Sequence, residues 1–206
     1  MATTEVASER PGAVRRGRPR SAASEQAILT AALDLLAEGQ GPAGLSIAAI
    51  ARRAGAGKDT IYRRWASKED LLLDALAAQV GELEIPAQMS LNEALVMVLS
   101  GMIARMQDER ARKITRSIQG AGDDFPKLRE RYYEQVVSRR QEIIHQHVRA
   151  AVARGEIPES PALRQAIEMP FHHILMRALE DDPIMGDPGE SARELVQVVM
   201  RGVLRP

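Results

Sequence analysis

Apolar residues recur at intervals of three and four along almost the whole chain, and this spacing is the period of an α-helix. Between residues 25 and 38, Ile28, Ala31 and Leu35 fall on one helical face, and Gly39 follows where a helix commonly ends. Further stripes of this kind are separated by Gly, Pro or capping Ser residues. The sequence therefore predicts an all-α fold of about nine helices.

Composition limits the class of protein further. The 206 residues are 45% hydrophobic, which is enough for one large domain or two small ones sharing a core. The absence of cysteine excludes a disulfide framework, a thiolate nucleophile and a Cys-ligated zinc, as is typical of a reducing compartment. No signal peptide is predicted, because the N-terminus carries Glu5, Glu9 and Arg10 and has no apolar h-region. No transmembrane helix is predicted, because no run approaches eighteen uncharged apolar residues. We expect a cytoplasmic protein.

Two short helices and a small-residue turn stand out near the N-terminus. Ser46 can cap a helix that runs through Arg53, and Gly55 can end it. A third short helix over about 58 to 64 follows, and Ser67 can cap a fourth that runs to Val80. Two short helices joined by a tight turn and packed on a longer first helix form a helix-turn-helix, whose second helix enters the major groove of DNA.

The formal net charge of zero hides an uneven distribution. Residues 10 to 20 carry five arginines and no acid, and residues 52 to 68 carry six basic residues against Asp59 alone. Residues 21 to 51 between them carry three acids and no base. Two basic clusters that flank an acidic segment predict a local polyanion-binding face.

Side chains of the third predicted helix can be assigned by chemistry. Ile61 and Trp65 are expected to face the core. The residues expected near the floor of the groove are Lys58, Asp59 and Arg63. The residues whose hydroxyls or cations suit phosphates are Thr60, Tyr62, Arg64 and Lys68. The predicted DNA-binding set is completed by Ser46, Arg18 and Arg20. The alternative is a solvated basic face on an ordinary helical bundle.

At these residues the chain resembles the TetR family of bacterial transcriptional repressors. The resemblance runs from about Glu25 to Leu76 and is carried by Leu45-Ser46-Ile47-Ala48-Ala49-Ile50-Ala51, Ala54-Gly55-Ala56, Thr60-Ile61-Tyr62 and Ser67-Lys68-Glu69. It implies phosphate contacts by Thr60, Tyr62 and Lys68, and base contacts by Lys58, Asp59 and Arg63. Two positions depart from the family pattern. Gly57 stands where Ser is frequent, and Arg64-Trp65 replaces the commoner His-Phe pair, which leaves the contact of Arg64 open.

Three segments follow from these patterns. We predict a flexible basic arm over residues 1–20, because Gly17 and Pro19 interrupt helix formation there. Its arginines either enter a narrow minor groove or form a weakly attracted tail. Residues 21–82 are the predicted DNA-binding domain, which ends before the break at Ile85-Pro86. Residues 83–206 are the predicted helical domain for effector binding and dimerisation.

The C-terminal region is expected to be helical throughout. Its seventh helix is predicted from about Pro126 to Ala153, with Asp123 or Asp124 as a possible cap. By the resemblance, helices eight and nine, which begin near Pro161 and Ala192, pack against the same pair of a second subunit as a four-helix bundle. Apolar residues on more than one side of helix eight also favour a homodimer. A symmetric dimer predicts a near-palindromic operator.

A small-molecule cavity is expected among helices four to eight. Methionines adapt to varied apolar shapes, and Tyr or His can orient a polar group of a ligand. The alternative is that such residues are ordinary core. Pro170 is expected to bend helix eight by removing an amide donor, and the bend either opens space beside Phe171 and His172 or is a packing kink. The predicted lining residues are Met102, Met106, Phe125, Tyr132, His147, Phe171, His172 and Met176.

No motif for catalysis or for metal binding is found in the sequence. The four histidines lack the i, i+4 spacing that chelates zinc, and there is no phosphate loop, dinucleotide fingerprint or GxSxG elbow. We therefore predict no cofactor, no metal and no enzymatic activity. The favoured function is a transcriptional repressor that a small apolar effector releases from its operator by moving helix four. The alternative is a helical apolar-ligand-binding or interaction protein without sequence-specific DNA binding.

Overall fold

The computed structural model describes residues 18–121 and 125–203, and these ranges contain helices and connecting turns but no strand. The all-α prediction is confirmed. Within the same ranges, no helix combines the length and the apolar character needed to cross a bilayer. The helices are α1 (Arg18–Ala37), α2 (Gly41–Gly44), α3 (Ile47–Ala54), α4 (Lys58–Tyr62), α5 (Lys68–Val80), α6 (Leu91–Gln107), α7 (Glu109–Gly120), α8 (Pro126–Tyr132), α9 (Ser138–Ala153), α10 (Leu163–Leu179) and α11 (Pro188–Val203).

The predicted seventh helix is confirmed but is not uniform. It consists of α8, a π-helical turn over Tyr133–Val137, and α9, which follow one another without a break. Its suggested caps, Asp123 and Asp124, lie outside the described residues. The single turn α2 was not predicted. Its Gly-Pro-Ala-Gly sequence is typical of a loop, and Gly41 has a positive φ of 63°.

The first helix begins earlier than the sequence predicted. α1 starts at Arg18, so residues 18–20 belong to a helix and not to a flexible arm. Pro19 is tolerated there because amides in the first turn of a helix have no intrahelical acceptor. The rest of the expected arm, residues 1–17, lies outside the described residues.

The helix-turn-helix forms where its capping residues predicted it. The Ser46 hydroxyl accepts a hydrogen bond from the Ala49 amide at 3.1 Å and so begins α3. Gly55 ends α3 with a φ of 62°, a left-handed conformation that costs glycine little. α4 then begins after Gly57 without a side-chain cap, and Ser67 caps α5 by accepting from the Asp70 amide at 3.1 Å.

Two hydrophobic cores organise the molecule. The first is built by α1, α3, α4 and α5, and it also includes Ile114 and Ile118 of α7 and Leu128 of α8. The second is built mainly by α6, α9, α10 and α11. Helices α7 and α8 therefore contribute side chains to the core of the helix-turn-helix, although they lie beyond the predicted boundary near residue 82. That boundary stays a prediction.

Two ion pairs accompany this packing. Arg110 of α7 donates from Nε and Nη2 to Asp34 Oδ1 of α1, at 2.9 and 2.6 Å. Arg131 of α8 donates to Asp70 Oδ1 in the first turn of α5, at 2.8 Å. The helix-turn-helix is thus attached to the C-terminal helices by apolar contacts and by charged hydrogen bonds.

Candidate DNA-binding surface and ligand cavity

The inner side of α4 is fixed to the first core. Ile61 is fully buried and Trp65, just after the helix, is 5% exposed, as the sequence predicted. The Trp65 indole Nε1 donates to Asp74 Oδ2 of α5 at 2.8 Å. A helix of five residues has little stability of its own, so these contacts set the orientation of α4.

The outer side of α4 presents the side chains that we assigned to DNA. Lys58, Asp59 and Arg63 are exposed, and the Tyr62 ring is 57% exposed. Thr60 is half-buried beside them. The combination of cations, a carboxylate and a phenol on one short helix can reach base edges as well as phosphates.

Ser46 lies exposed at the start of α3, where its hydroxyl already accepts the Ala49 amide. A serine hydroxyl that accepts one hydrogen bond keeps its own proton for donation. Ser46 can therefore cap α3 and donate to a phosphate at the same time. The side chains of Arg18 and Arg20, the other members of the predicted set, lie outside the described residues.

Lys68 has partners within the protein that the sequence did not predict. Its ammonium donates to the carbonyl oxygens of Pro42 and Leu45, both at 2.8 Å, and lies 4.8 Å from the centre of the Phe125 ring. Burial lowers the pKa of Lys68. Two of its three protons are used in these contacts, which leaves one for a phosphate.

Acids of the segment between the two basic clusters pair with arginines of the second cluster. Arg53 binds Glu38 through two hydrogen bonds of 2.8 and 2.9 Å, and this contact lowers the pKa of the carboxyl. Arg64 is half-buried, and its Nε lies 3.7 Å from Glu25. Such surface pairs contribute little to stability, but they offset acidic charge next to the outer side of α4.

A cavity of about 490 Å³ lies between α5, α6, α7, the α8 to α9 segment and α10. Its volume is within the range of about 300–1,000 Å³ that is usual for small-molecule sites. Most of its wall is apolar, with methionine, leucine, isoleucine, valine and phenylalanine side chains. The predicted lining residues that border it are Met102, Met106, Tyr132, Phe171 and His172.

Three other predicted lining residues do not border this cavity. Phe125 packs on the first core and lies under the Lys68 ammonium. The His147 ring is engaged elsewhere, since its nitrogens lie 3.1 Å from the Ile143 carbonyl and 3.2 Å from the Pro86 carbonyl. Met176 is 52% exposed on the outer side of α10. Helical spacing alone did not distinguish these positions from those that border the cavity, and ligand contact by any of the predicted residues stays a prediction.

The cavity also has polar residues that sequence reasoning missed. Arg105 of α6 and Arg140 of α9 border it, close enough to Tyr132 for their charges to influence one another. For Arg105 the sequence contained an indication: Val98, Met102 and Arg105 occupy positions i, i+4 and i+7 and so share one helical face. A cation within an apolar stripe is a reason to expect a polar spot in a buried site.

Burial dominates the electrostatics of these three groups. It lowers the pKa of Arg105 and of Arg140, because the charged guanidinium loses solvation, and it raises the pKa of the Tyr132 phenol. The charge of Arg105 lowers the pKa of Arg140 further. Both arginines nevertheless stay cationic and the phenol stays protonated at neutral pH.

The cavity wall contains one acid, Glu168, which already has partners. Glu168 Oε1 lies 3.1 Å from His145 Nε2 and accepts from Arg164 Nε at 2.9 Å. Across the described ranges, no group of three or more His, Cys, Asp or Glu side chains is arranged to hold a metal ion. Besides Glu168, the polar side chains of the wall belong to arginine, tyrosine, glutamine, threonine and histidine residues.

An exposed recognition helix, joined through α5 to a cavity in a larger helical region, defines the class of helix-turn-helix transcriptional regulators. The chain belongs to the TetR family. Residues 28–75 match the family model of the bacterial regulatory proteins of the tetR family, and residues 85–199 match that of the tetracyclin repressor-like C-terminal domain. The resemblance carried by the helix-turn-helix motifs is thus confirmed, and the matched family is a class of regulators and not of enzymes.

Similar proteins agree with this assignment. YdeS of Bacillus subtilis, an uncharacterised helix-turn-helix transcriptional regulator, is 30% identical over 92% of this chain and 94% of its own length. The crystal structure of MexZ, a repressor of Pseudomonas aeruginosa, shares the fold with a TM-score of 0.70 at 18% identity, over 88% of this chain and 95% of its own. FadR of Bacillus subtilis, solved with stearoyl-CoA, has a TM-score of 0.66 at 20% identity, over 86% and 98%.

Proposed function

We propose that this regulator is a repressor that a small-molecule effector releases from its operator. The observation that carries the proposal is the position of α5, because Leu76, Gln79 and Val80 of this helix form part of the cavity wall. The same helix packs beside α4 through the contact of Trp65 with Asp74. A ligand that displaces the end of α5 would move the recognition helix, provided that the ligand binds the two arrangements with different affinity.

The DNA contacts of such a repressor would be made by the residues predicted from the sequence. Lys58, Asp59 and Arg63 would reach base edges, since they lie exposed on the outer side of α4. Phosphates would be bound by Ser46, Thr60, Tyr62, Arg64 and Lys68, with Arg18 and Arg20 as additional contacts.

We propose a homodimer through α10 and α11, which are the helices eight and nine predicted from the sequence. Their exposed apolar side chains include Met169 and Met176 of α10 and Val198 of α11, which are 64%, 52% and 69% exposed. Apolar surface of this extent on adjacent helices is typical of an interface. A two-fold axis between these helices would present two copies of α4 to a near-palindromic operator. Such a protein acts on DNA in the cytoplasm.

The experiment is a fluorescence anisotropy titration of the full chain with DNA from upstream of its own gene and with random DNA. We expect tighter binding to the upstream DNA at physiological salt, with affinity that falls as salt rises. Arg63→Ala should weaken the free energy of binding to the operator by about 1–3 kcal/mol and relax the preference for a particular base. Tyr62→Phe should lower the affinity for upstream DNA and for random DNA by similar factors.

Arg154→Ala is the control, because Arg154 is exposed at the end of α9, outside the predicted DNA-binding set, and pairs with Glu156. It should leave the affinity for either DNA unchanged. Equal binding to upstream and random DNA would contradict the proposal and favour an apolar-ligand-binding protein without sequence-specific DNA binding.

A further inference from the structure

The cavity wall carries two positive charges without a carboxylate to balance them. Among the described residues, neither Arg105 nor Arg140 forms an ion pair with an acid. The Arg140 Nη1 instead donates to the carbonyl oxygens of Val80 and Gly81, at 3.3 and 2.9 Å. Because Glu168 is shared between His145 and Arg164, it does not neutralise this end of the cavity.

A guanidinium held away from water without an anion costs free energy, so an anionic ligand would be favoured at Arg105. The planar guanidinium presents paired N–H donors that match the oxygens of a carboxylate. Tyr132 adds a third donor, because its hydroxyl forms no hydrogen bond to another described residue and its phenol stays protonated. Three donors of this kind suit one acidic group.

The other residues of the wall determine the chemical character of the rest of the ligand. Met102, Met106, Ile114, Ile144 and Phe171 offer apolar contacts around the polar end. A highly charged ligand would lose solvation against these side chains, and a neutral one would leave Arg105 without a partner.

We infer that the effector is an organic anion with an apolar body, and that Arg105 and Arg140 bind its acidic oxygens while Tyr132 donates to them. This inference rests on the proposed function only in taking the cavity as the effector site. It adds the chemical class of the effector, and it assigns binding roles to three residues.

The test uses two fluorescent probes that differ by one acidic group. 1-Anilinonaphthalene-8-sulfonate carries a sulfonate, and N-phenyl-1-naphthylamine is the same ring system without it. Both are titrated against the full chain in the absence of DNA. We expect the sulfonate probe to bind at least about tenfold more tightly, since hydrogen bonds to charged groups are the strong ones. Dodecanoate should displace it, and dodecanamide should do so far less effectively.

Substitutions then locate the acidic group. Arg105→Met replaces the guanidinium by an unbranched apolar side chain. It should lower the affinity for the sulfonate probe about 10- to 100-fold, while the neutral probe binds as before or more tightly. Arg139→Met is the matched control, because Arg139 is the exposed neighbour of Arg140 and does not border the cavity. Circular dichroism of both variants checks that they fold.

Equal affinity of the wild-type chain for the two probes would overturn the inference. An equal loss of affinity for both probes in Arg105→Met would overturn it as well. The proposed function fails by a different observation, namely equal binding to operator and random DNA. Release of the operator by the neutral probe alone would keep the proposed function and overturn the anionic class of effector.

Discussion

At the residue scale, Lys68 connects the start of α5 to the chain that precedes α3. Its two hydrogen bonds reach carbonyls of residues 42 and 45, and its charge lies over the Phe125 ring. The sequence places a cation at the start of a helix, where the helix dipole disfavours it. The carbonyls and the ring provide the reason why it is tolerated there, and none of these partners is close to Lys68 in sequence.

Replacement of Lys68 should therefore affect stability as well as DNA binding. Lys68→Met keeps an apolar stem but leaves the Pro42 and Leu45 carbonyls without their donor, so the free energy of unfolding should fall by about 1–3 kcal/mol. Lys58→Met, at an exposed position, should change it by less than about 0.5 kcal/mol. Urea unfolding of both variants measures this difference. Unchanged stability of Lys68→Met would show that Lys68 does not stabilise the fold.

Asp70 provides a pH-dependent contribution at the same helix end. The Ser67 hydroxyl and then Arg131 lower its pKa in the folded protein. A carboxyl whose folded pKa is lowered stabilises the fold above its unfolded pKa of about 3.9, and loses this effect as pH falls through the folded pKa. We expect the stability difference between wild type and Asp70→Asn to be largest near neutral pH and to shrink in acid.

The measurement is urea unfolding of wild type and Asp70→Asn at a series of pH values. Asp59→Asn is a suitable control, because Asp59 is exposed on α4. A stability difference that stays constant from neutral to acid pH would contradict the role of the ionised Asp70 carboxylate.

At the scale of secondary-structure elements, α5 is held at both ends by residues from the C-terminal region. Arg131 of α8 binds Asp70 in its first turn, and Arg140 of α9 donates to Val80 and Gly81 where it ends. The π-helical turn Tyr133–Val137 separates these two arginines, and Tyr133, Val136 and Val137 border the cavity. π-helical turns within α-helices are frequent at functional sites.

Loss of the Arg140 contact should loosen the end of α5. A cation at a helix C-terminus stabilises it by about 0.3–1 kcal/mol. Arg140→Met should therefore speed amide hydrogen exchange in the last turn of α5 roughly two- to fivefold, and leave the first turn unchanged. Arg139→Met should alter neither turn. Equal exchange in Arg140→Met and wild type would mean that Arg140 does not hold this helix end.

Much of the element order could be predicted from the sequence, because apolar spacing and capping residues act locally. Ser46, Gly55 and Ser67 marked the helix-turn-helix, and the long helix from residue 126 to 153 followed from its apolar stripe. The cavity wall was only partly predictable, since it depends on how helices rotate against one another. Phe125 and Arg105 show this, because tertiary packing placed the aromatic ring on the first core and the cation in the cavity.

At the scale of the whole molecule, α7 and α8 connect the two cores. They contribute Ile114, Ile118 and Leu128 to the first core, while Ile114 and Ile118 also border the cavity. Packed interiors resist small displacements, so a ligand that shifts these side chains acts on the core that supports α4. The sequence predicted two regions with a boundary near residue 82, whereas packing across that boundary arises only from the fold.

The proposed dimer can be tested at Val198. Val198 lies exposed on α11, on a different side from Ala192, Val196 and Met200, which face the second core. In a two-fold interface, a Glu at position 198 would be buried in each of the two subunits. Burial of an unpaired carboxylate costs free energy. Val198→Glu should therefore weaken dimerisation by about 3 kcal/mol or more, roughly a hundredfold, and lower operator affinity because the two recognition helices separate.

Gln197→Glu places the same charge at the neighbouring exposed position, about 100° around the helix from Val198. It should leave the dimer intact, since it lies away from the proposed interface. Sedimentation at micromolar concentration measures both variants, and the wild-type chain should sediment with the mass of two chains. A monomeric wild type, or a Val198→Glu variant that dimerises as well as Gln197→Glu, would exclude this face of α11 as the interface.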